Sequence, residues 1–340
     1  MITEHPDYFD HFSCVGGKCE DTCCAGWEVD IDEETFYYYM TVKSDFGDRL
    51  RSHMVDTGEE KYFPLAKNGR CPFLNSGNWC DIYSNLGPDR LCTVCQEYPR
   101  YYVEVGDYTQ EDMSLSCMEL GRIFFERKSP ISYAQLGDGD YGLDGKEEKL
   151  FQTILGKRDA MIRQLQANHG SYLSRMDAAL SLLDSSDEKD STEILLAKLS
   201  SLEVIDEGWK TEFDRLKTFC QQTDYPVKKK HFLAWTGLTE DQGSLFSSWF
   251  TRLAVYFCFR YTIDLWFDQD PKKTARMIRR SLSVIWLMCL ERWSRCSQRF
   301  DIHDMIDIAH LYSKEVEHSE ENVERMKGRA KGVAKRRNNL

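Results

Sequence analysis

A chain of 340 residues with 41% hydrophobic residues is long enough for one large domain or two and can bury a core, which excludes a disordered reading. Its 44 basic against 56 acidic residues give a formal charge of −12, the sign opposite to that of a general nucleic-acid binder. No apolar run reaches the roughly 18 residues of a membrane-spanning helix, since even Val255 to Phe267 is broken by Arg260 and Asp264, so neither nucleic acid nor a membrane is an expected partner.

Met1 to Phe12 carries Glu4, Asp7 and Asp10 where a secretion signal would have a positive end and an apolar stretch, so a cytoplasmic location is expected. Cytosolic thiols are held reduced, and nine of the thirteen cysteines fall within the first 117 residues. They therefore read as metal or cluster ligands ahead of disulfides, with redox disulfides as a third reading. The first group is Cys14, Cys19, Cys23 and Cys24, interleaved with Gly16, Gly17 and Gly26, which allow the backbone to fold tightly round an ion or cluster. Neighbouring Cys23 and Cys24 seldom point into one small tetrahedron and are expected to split roles. Trp27 to Ile31 alternates like a strand, and Glu33 to Met54 carries a helical stripe of Phe36, Tyr37, Met40, Phe46 and Leu50. The second group is Cys71, Cys80, Cys92 and Cys95. After it, Arg100 to Val105, Gly106-Asp107 and Tyr108 onward read as a hairpin closed by Cys117. No histidine lies inside either group, which favours an all-thiolate site. Soft sulfur donors select zinc or iron-sulfur clusters over magnesium, calcium or manganese, and spacing does not choose between zinc and iron.

Between Leu136 and Gly145 the aspartates and glycines fit neither a calcium loop nor a phosphate cradle: counted from Asp138, Leu143 stands where the turn glycine belongs and Lys149 where the bidentate glutamate belongs. A linker over 123–149 is the reading that remains. From Lys146 onward helical stripes recur through Ile194 to Phe219, Leu245 to Phe267, Ala275 to Phe300 and Met305 to Met326, with Cys220, Cys258, Cys289 and Cys296 as small buried hydrophobes. The expected fold is thus mainly α. A small cysteine-rich metal-binding part over 1–122 with a short β-hairpin precedes an all-α bundle of five or six long helices over 150–340. The basic tail Lys327 to Arg337 reads as a solvated helix end.

Taken together, Phe12-Ser-Cys14, Cys19-Glu-Asp-Thr-Cys23-Cys24-Ala-Gly-Trp27, Cys71-Pro-Phe-Leu74, Cys80-Asp-Ile-Tyr83, Cys95-Gln-Glu-Tyr98-Pro-Arg100, Leu115-Ser-Cys117 and Tyr312-Ser-Lys-Glu-Val-Glu317-His318 resemble the flagellin lysine N-methylase family. That family is itself similar to a broader group of zinc- or iron-chelating proteins with a CxxCxxCC signature. The resemblance implies transfer of methyl groups from S-adenosylmethionine to lysines of flagellin, with a cysteine-bound 4Fe-4S cluster; the candidate ligands for the cluster, or for zinc instead of or beside it, are Cys14, Cys19, Cys23, Cys24, Cys71, Cys80, Cys92, Cys95 and Cys117, and spacing does not divide them among sites. Neither the CxxxCxxC spacing of radical S-adenosylmethionine enzymes nor a Gly-rich strand-to-helix fingerprint is present. An iron free of protein ligands would then be the handle for the cofactor.

Lysine methylation needs an amine that has lost its proton and is aligned with the methyl group. Glu317 and His318 are the candidate catalytic pair, on a helix with Lys314, Glu321 and Asn322 one turn away. Arg260, in an apolar helix, must find an anionic partner on the cofactor or a carboxylate from a neighbouring helix, and Arg100 poses the same choice, so both are candidate cofactor ligands. Tyr37, Tyr38, Tyr39, Tyr98, Tyr101 and Tyr102 are candidates to line a slot for the cationic centre. The rival function is a non-catalytic zinc- or iron-binding protein whose helices dock a partner.

Overall fold

The structure, a computed structural model, describes residues 1–185, 189–241 and 243–328. The expected hairpin is present as β5 and β6 below, but it is embedded in a larger sheet. The strands and helices of the first part are β1 (Ile2–Pro6), β2 (Val29–Asp30), α1 (Glu33–Thr41), α2 (Asp45–His53), β3 (Val55–Asp56), β4 (Lys61–Phe63), α3 (Asp81–Leu86), α4 (Thr93–Glu97), β5 (Arg100–Val105), β6 (Tyr108–Met113), α5 (Met118–Glu126) and β7 (Tyr133–Leu136). The helical stripe over 33–54 is two helices because Ser44 caps a new one, its hydroxyl accepting from the Gly47 amide. β2, β4 and β3 form a small antiparallel sheet.

The larger sheet runs β5–β6–β1–β7, with β1 parallel to β6 (Ile2 opposite Tyr108) and antiparallel to β7 (Thr3 opposite Leu136). The stretch 123–149 therefore holds the end of α5, strand β7 and the Asp144 cap of the next helix. Its loop is tied to the hairpin turn, where the Asp107 amide donates to the Tyr141 carbonyl at 2.7 Å. The alternation that would announce β1 and β7 is too short to stand out in the sequence.

From 145 to the end of the described residues every element is helical: α6 (Gly145–Leu165), α7 (Tyr172–Ser181), α8 (Thr192–Leu199), α9 (Glu207–Cys220), α10 (Tyr225–Thr236), α11 (Leu245–Thr262), α12 (Leu265–Asp268), α13 (Pro271–Arg295), α14 (Ile302–Tyr312), a five-residue π-helical turn (Ser313–Glu317) and α15 (Glu320–Lys327). Only α6, α11 and α13 are long. The stripe from Ile194 to Phe219 divides because Asp206 caps a second helix, and that from Met305 to Met326 divides at the π turn and the Ser319 cap.

α6 and the sheet are joined by Arg158, which is buried and donates to Glu4 (2.6 Å), the Tyr108 hydroxyl (2.9 Å) and Gln110 (3.0 Å). The main core runs continuously from Tyr8, Met113 and Leu115 through α5 into the helices, whereas the cysteine-rich segment keeps a smaller core of its own around Tyr39, Phe63 and Phe73. α14 crosses α5 closely, since a Cβ on Gly121 would lie 2.8 Å from Ile306 Cγ2. That crossing brings the π turn to Cys117. Residues 329–340, most of the basic tail, lie outside the described residues. Lys327 is not a solvated helix end: it is buried and paired with Asp264 at 2.6 Å.

Candidate metal centre and the buried network behind it

The cysteines gather in two neighbouring sets. Cys14, the turn Gly16–Lys18, Cys19 and Cys23 form a tight loop in which the Gly16 amide points at Cys14 Sγ (3.4 Å) and the Cys19 thiol donates to the Asp21 carbonyl (2.9 Å). Gly16 is required there, because its φ is +55° and a Cβ would lie 1.9 Å from the Trp79 ring. Cys117, immediately before α5, joins this loop: negative charge on Cys14 or Cys19 raises the Cys117 thiol, and Cys14 and Cys117 raise Cys23. Cys24 belongs to the second set. Its carbonyl accepts from the Cys71 amide (2.8 Å), Cys80 pairs across a bridge with Leu74, and Cys92 and Cys95 flank the start of α4. The thiols of Cys71 and Cys95 both feel Cys24 and Cys92, and that of Cys80 feels Cys24. Cys23 and Cys24 thus split between the sets, as their adjacency led one to expect, and remain in contact where the sets meet.

All of these cysteines are free thiols. Burial pushes the Cys71 thiol up to about 12, and the Cys117 thiol up to about 11 even though the Leu120 and Glu119 amides pull it down. Cys24 runs the other way, to about 7, because the Cys23 thiol donates to it. Soft donors crowded, half-buried and without disulfide partners suit a thiophilic metal or cluster, which binds thiolates and releases their protons. In donor type the nine residues fit the group that the resemblance implies. Among the described residues, no three His, Cys, Asp or Glu side chains are placed close enough to hold a single ion.

Behind the first set lies a polar network. Glu317 ends the π turn with its side chain fully buried, and its carboxylate accepts from Tyr261 OH (3.0 Å) and Arg260 Nε (2.8 Å) at Oε1 and from Tyr256 OH (3.0 Å) and Ser313 Oγ (2.6 Å) at Oε2. All four lone-pair positions are filled. The Arg260 guanidinium also lies 3.8 Å from the centre of the Tyr101 ring, whose hydroxyl donates to Asp112 (2.7 Å). Burial raises Asp112 to about 6, against the hydroxyls of Tyr8 and Tyr101.

From Glu317 a chain of hydroxyls leads to the rim. Ser313 Oγ contacts Ser114 Oγ (2.9 Å), which accepts from Ser116 Oγ (2.9 Å), which meets His318 Nε2 at 2.7 Å. An ionised carboxylate can only accept, so the chain closes in one sense: His318 Nε2–H to Ser116, Ser114, Ser313 and Glu317. That leaves Nδ1 as the acceptor of the imidazole. Desolvation, with Arg260, Lys314 and His310 nearby, lowers His318 to about 4, so the ring is neutral at pH 7 although the residue is partly exposed. Tyr98 braces the same point, its hydroxyl donating to the Ser116 carbonyl at 2.9 Å. One turn earlier, His310 (2.7 Å) and Lys314 (2.8 Å) hold Asp21 of the first cysteine loop, and Lys314 also reaches Asp206 (2.9 Å).

The structure therefore brings Glu317, His318 and Arg260 into one network, which reaches Ser116, the residue before Cys117. Arg260 finds its anion in a carboxylate of the chain itself. Arg100 lies elsewhere, over the rings of Phe9 (5.4 Å) and Phe12 (5.5 Å). The six tyrosines do not share one slot. Tyr98 and Tyr101 join the network, Tyr39 sits in the small core with its hydroxyl on the Arg90 carbonyl, Tyr38 lies under Arg90, Tyr102 bonds Glu97 and Tyr37 is exposed. Sequence reasoning passed over Ser114, Ser116, Ser313, Asp21 and His310. Asp21, Ser116 and Ser313 stand inside motifs whose cysteines or glutamate drew the attention.

Residues 144–334 match a family model described as the FliB lysine N-methylase C-terminal domain. A lysine-N-methylase of Salmonella choleraesuis (strain SC-B67) is 32% identical over 127 residues, 35% of this chain and 31% of that protein. The flagellar biosynthetic protein FliU of Salmonella muenchen is 32% identical over 127 residues, 35% of this chain and 73% of that protein. The matched region thus spans well under half of the lysine-N-methylase. No solved structure matches the chain.

Proposed function

Because the chain belongs to the FliB lysine N-methylase family, we propose that it is a cytoplasmic protein-lysine N-methyltransferase acting on flagellin, with S-adenosylmethionine as donor and a cysteine-held 4Fe-4S cluster. The names of its relatives support the reaction and the flagellar substrate. The observation that carries the reading is the docking of the π turn onto the first cysteine loop, where Lys314 holds Asp21 and His318 bonds Ser116 next to Cys117, because π-helical turns are frequent at functional sites. Three thiols from Cys14, Cys19, Cys23 and Cys117 are those we assign to the cluster, which leaves its fourth iron without a protein ligand. Cys24, Cys71, Cys80, Cys92 and Cys95 would hold a second, structural ion, zinc or iron.

When bound, the cluster would supply an iron position for the amino and carboxylate ends of the methyl donor. The chain's own residues do the rest. His318 stays neutral at pH 7, so its Nδ1 can accept a hydrogen bond that orients the neutral lysine amine without placing a positive charge beside a sulfonium. The serine chain fixes which nitrogen is free, and Glu317 anchors that chain while it holds Arg260. Glu317 is then a positioning residue rather than a base.

Co-expression with flagellin and mass spectrometry of the flagellin tests the activity. Each methyl adds about 14 Da to a lysine, and we expect the increments with the intact chain and their loss in His318→Ala, with Ser116→Ala reducing them. Unmodified flagellin with a metal-loaded, folded chain would overturn the reading.

A further inference from the structure

Three buried arginines each have a carboxylate: Arg158 has Glu4, Arg260 has Glu317, and Arg280 has Asp190. Arg252 and Arg175 do not. Arg252, only 8% exposed, donates to the carbonyls of Phe125 (3.5 Å) and Arg127. Arg175, half-buried, donates to the carbonyls of Leu165 (2.9 Å) and Ala167 (2.6 Å) and to Thr251 Oγ1 (3.2 Å), and its Nε is buried without a partner. Among the described residues neither has an ion pair. Burial lowers both, Arg252 to about 10 with Arg127 adding to the effect.

The two line one cleft of about 280 Å³, together with Lys128, Ser248, Thr251 and a single acid, Asp241. Three cations against one carboxylate leave a formal charge of +2. The cleft also takes in the first turns of α11, whose N-terminal end is the positive end of its dipole. Carbonyl and hydroxyl oxygens take most of their hydrogens but neutralise neither charge, and two such cations lining one cleft favour an anion there. We propose that this cleft binds a phosphate group, as inorganic phosphate or as the end of a small phosphomonoester. The volume and the double charge suit a dianion of that size, and the guanidinium groups suit its oxygens. The site is separate from the cysteine centre: α11 carries Thr251 in the cleft and Arg260 in the Glu317 network, nine residues apart or roughly 14 Å along the helix. It does not rest on the methyltransferase reading.

Titration calorimetry of the full chain with inorganic phosphate, and separately with glycerol phosphate, at constant ionic strength in chloride tests the proposal. We expect one saturable site, weakened about tenfold in Lys128→Gln and in Arg175→Gln. Tighter glycerol phosphate points to a phosphomonoester and tighter inorganic phosphate to the free ion, and either supports the site. No saturable binding of either probe overturns it, as does unchanged affinity in Lys128→Gln, whose exposed side chain keeps that variant informative if Arg175→Gln fails to fold.

Discussion

The cysteine-rich head and the Glu317 network touch each other, yet they solve the burial of polar groups in opposite ways. In the network the chain supplies every partner: four donors fill Glu317, and Arg260 lies between its carboxylate and an aromatic face. In the head most thiols are half-buried beside one another, and burial raises those of Cys71, Cys80 and Cys117, around a core far smaller than the main one. One region is complete as folded. The proposed metal would give the other its final order.

Metal removal should separate the two most sharply. Chelation from the loaded protein forfeits binding energy of order 10 kcal/mol for a thiolate-held zinc. Limited proteolysis should then open the chain between Cys14 and Cys95 while 145–328 stays protected. Uniform protection with and without metal would show that the head needs no ligand. Glu317→Ala comes next, because it strands Arg260: a loss of about 3–5 kcal/mol in denaturant unfolding is expected, with a smaller loss in Glu317→Gln. Equal, small losses would deny the network its central ion pair.

Asp112 gives a pH signature confined to the network side. Its folded pKa, about 6, lies above the ordinary 3.8, so the folded state holds the proton more tightly. Its contribution is fully present below pH 3.8 and is lost as pH rises through 6, a decline of up to about 3 kcal/mol. Asp112→Asn should flatten that slope, and an unchanged slope would assign it to other groups. The smallest effect belongs to the joint. Asp21 is held well below the usual carboxylate range first by its bond to His310 and then by Lys314. Its contribution is therefore present above its unfolded value and lost as pH falls through the lower folded one. Partly exposed, it is worth about 1 kcal/mol. Asp21→Asn should raise hydrogen exchange in residues 19–24 and leave α13 unchanged. Faster exchange in both would mean the two regions do not move separately.

The helical second part was legible in the sequence because long stripes such as Ala275 to Arg295 repeat an apolar face over many turns. The cysteine sets were legible because four thiols within eleven residues, interleaved with three glycines, stand out in any reading of the chain. β1 and β7 escaped because a five-residue and a four-residue strand acquire meaning only when paired. Adjacency led only to the expectation that Cys23 and Cys24 split roles; which set each joins, and that Cys117 stands near Cys14 and Cys19, depends on residues far apart in the chain. The partner of Arg260 was open between a cofactor anion and a carboxylate. Three-dimensional proximity of residues 260 and 317 decided it, and no local pattern carries that information.

Iron, zinc and acid-labile sulfide measured on protein purified without oxygen tests the central claim most directly. About four iron and four sulfide per chain are expected from a single cluster, falling sharply in Cys117→Ser and retained when Glu317→Gln disturbs only the network. Zinc with neither iron nor sulfide would contradict the cluster and leave the head a structural metal site.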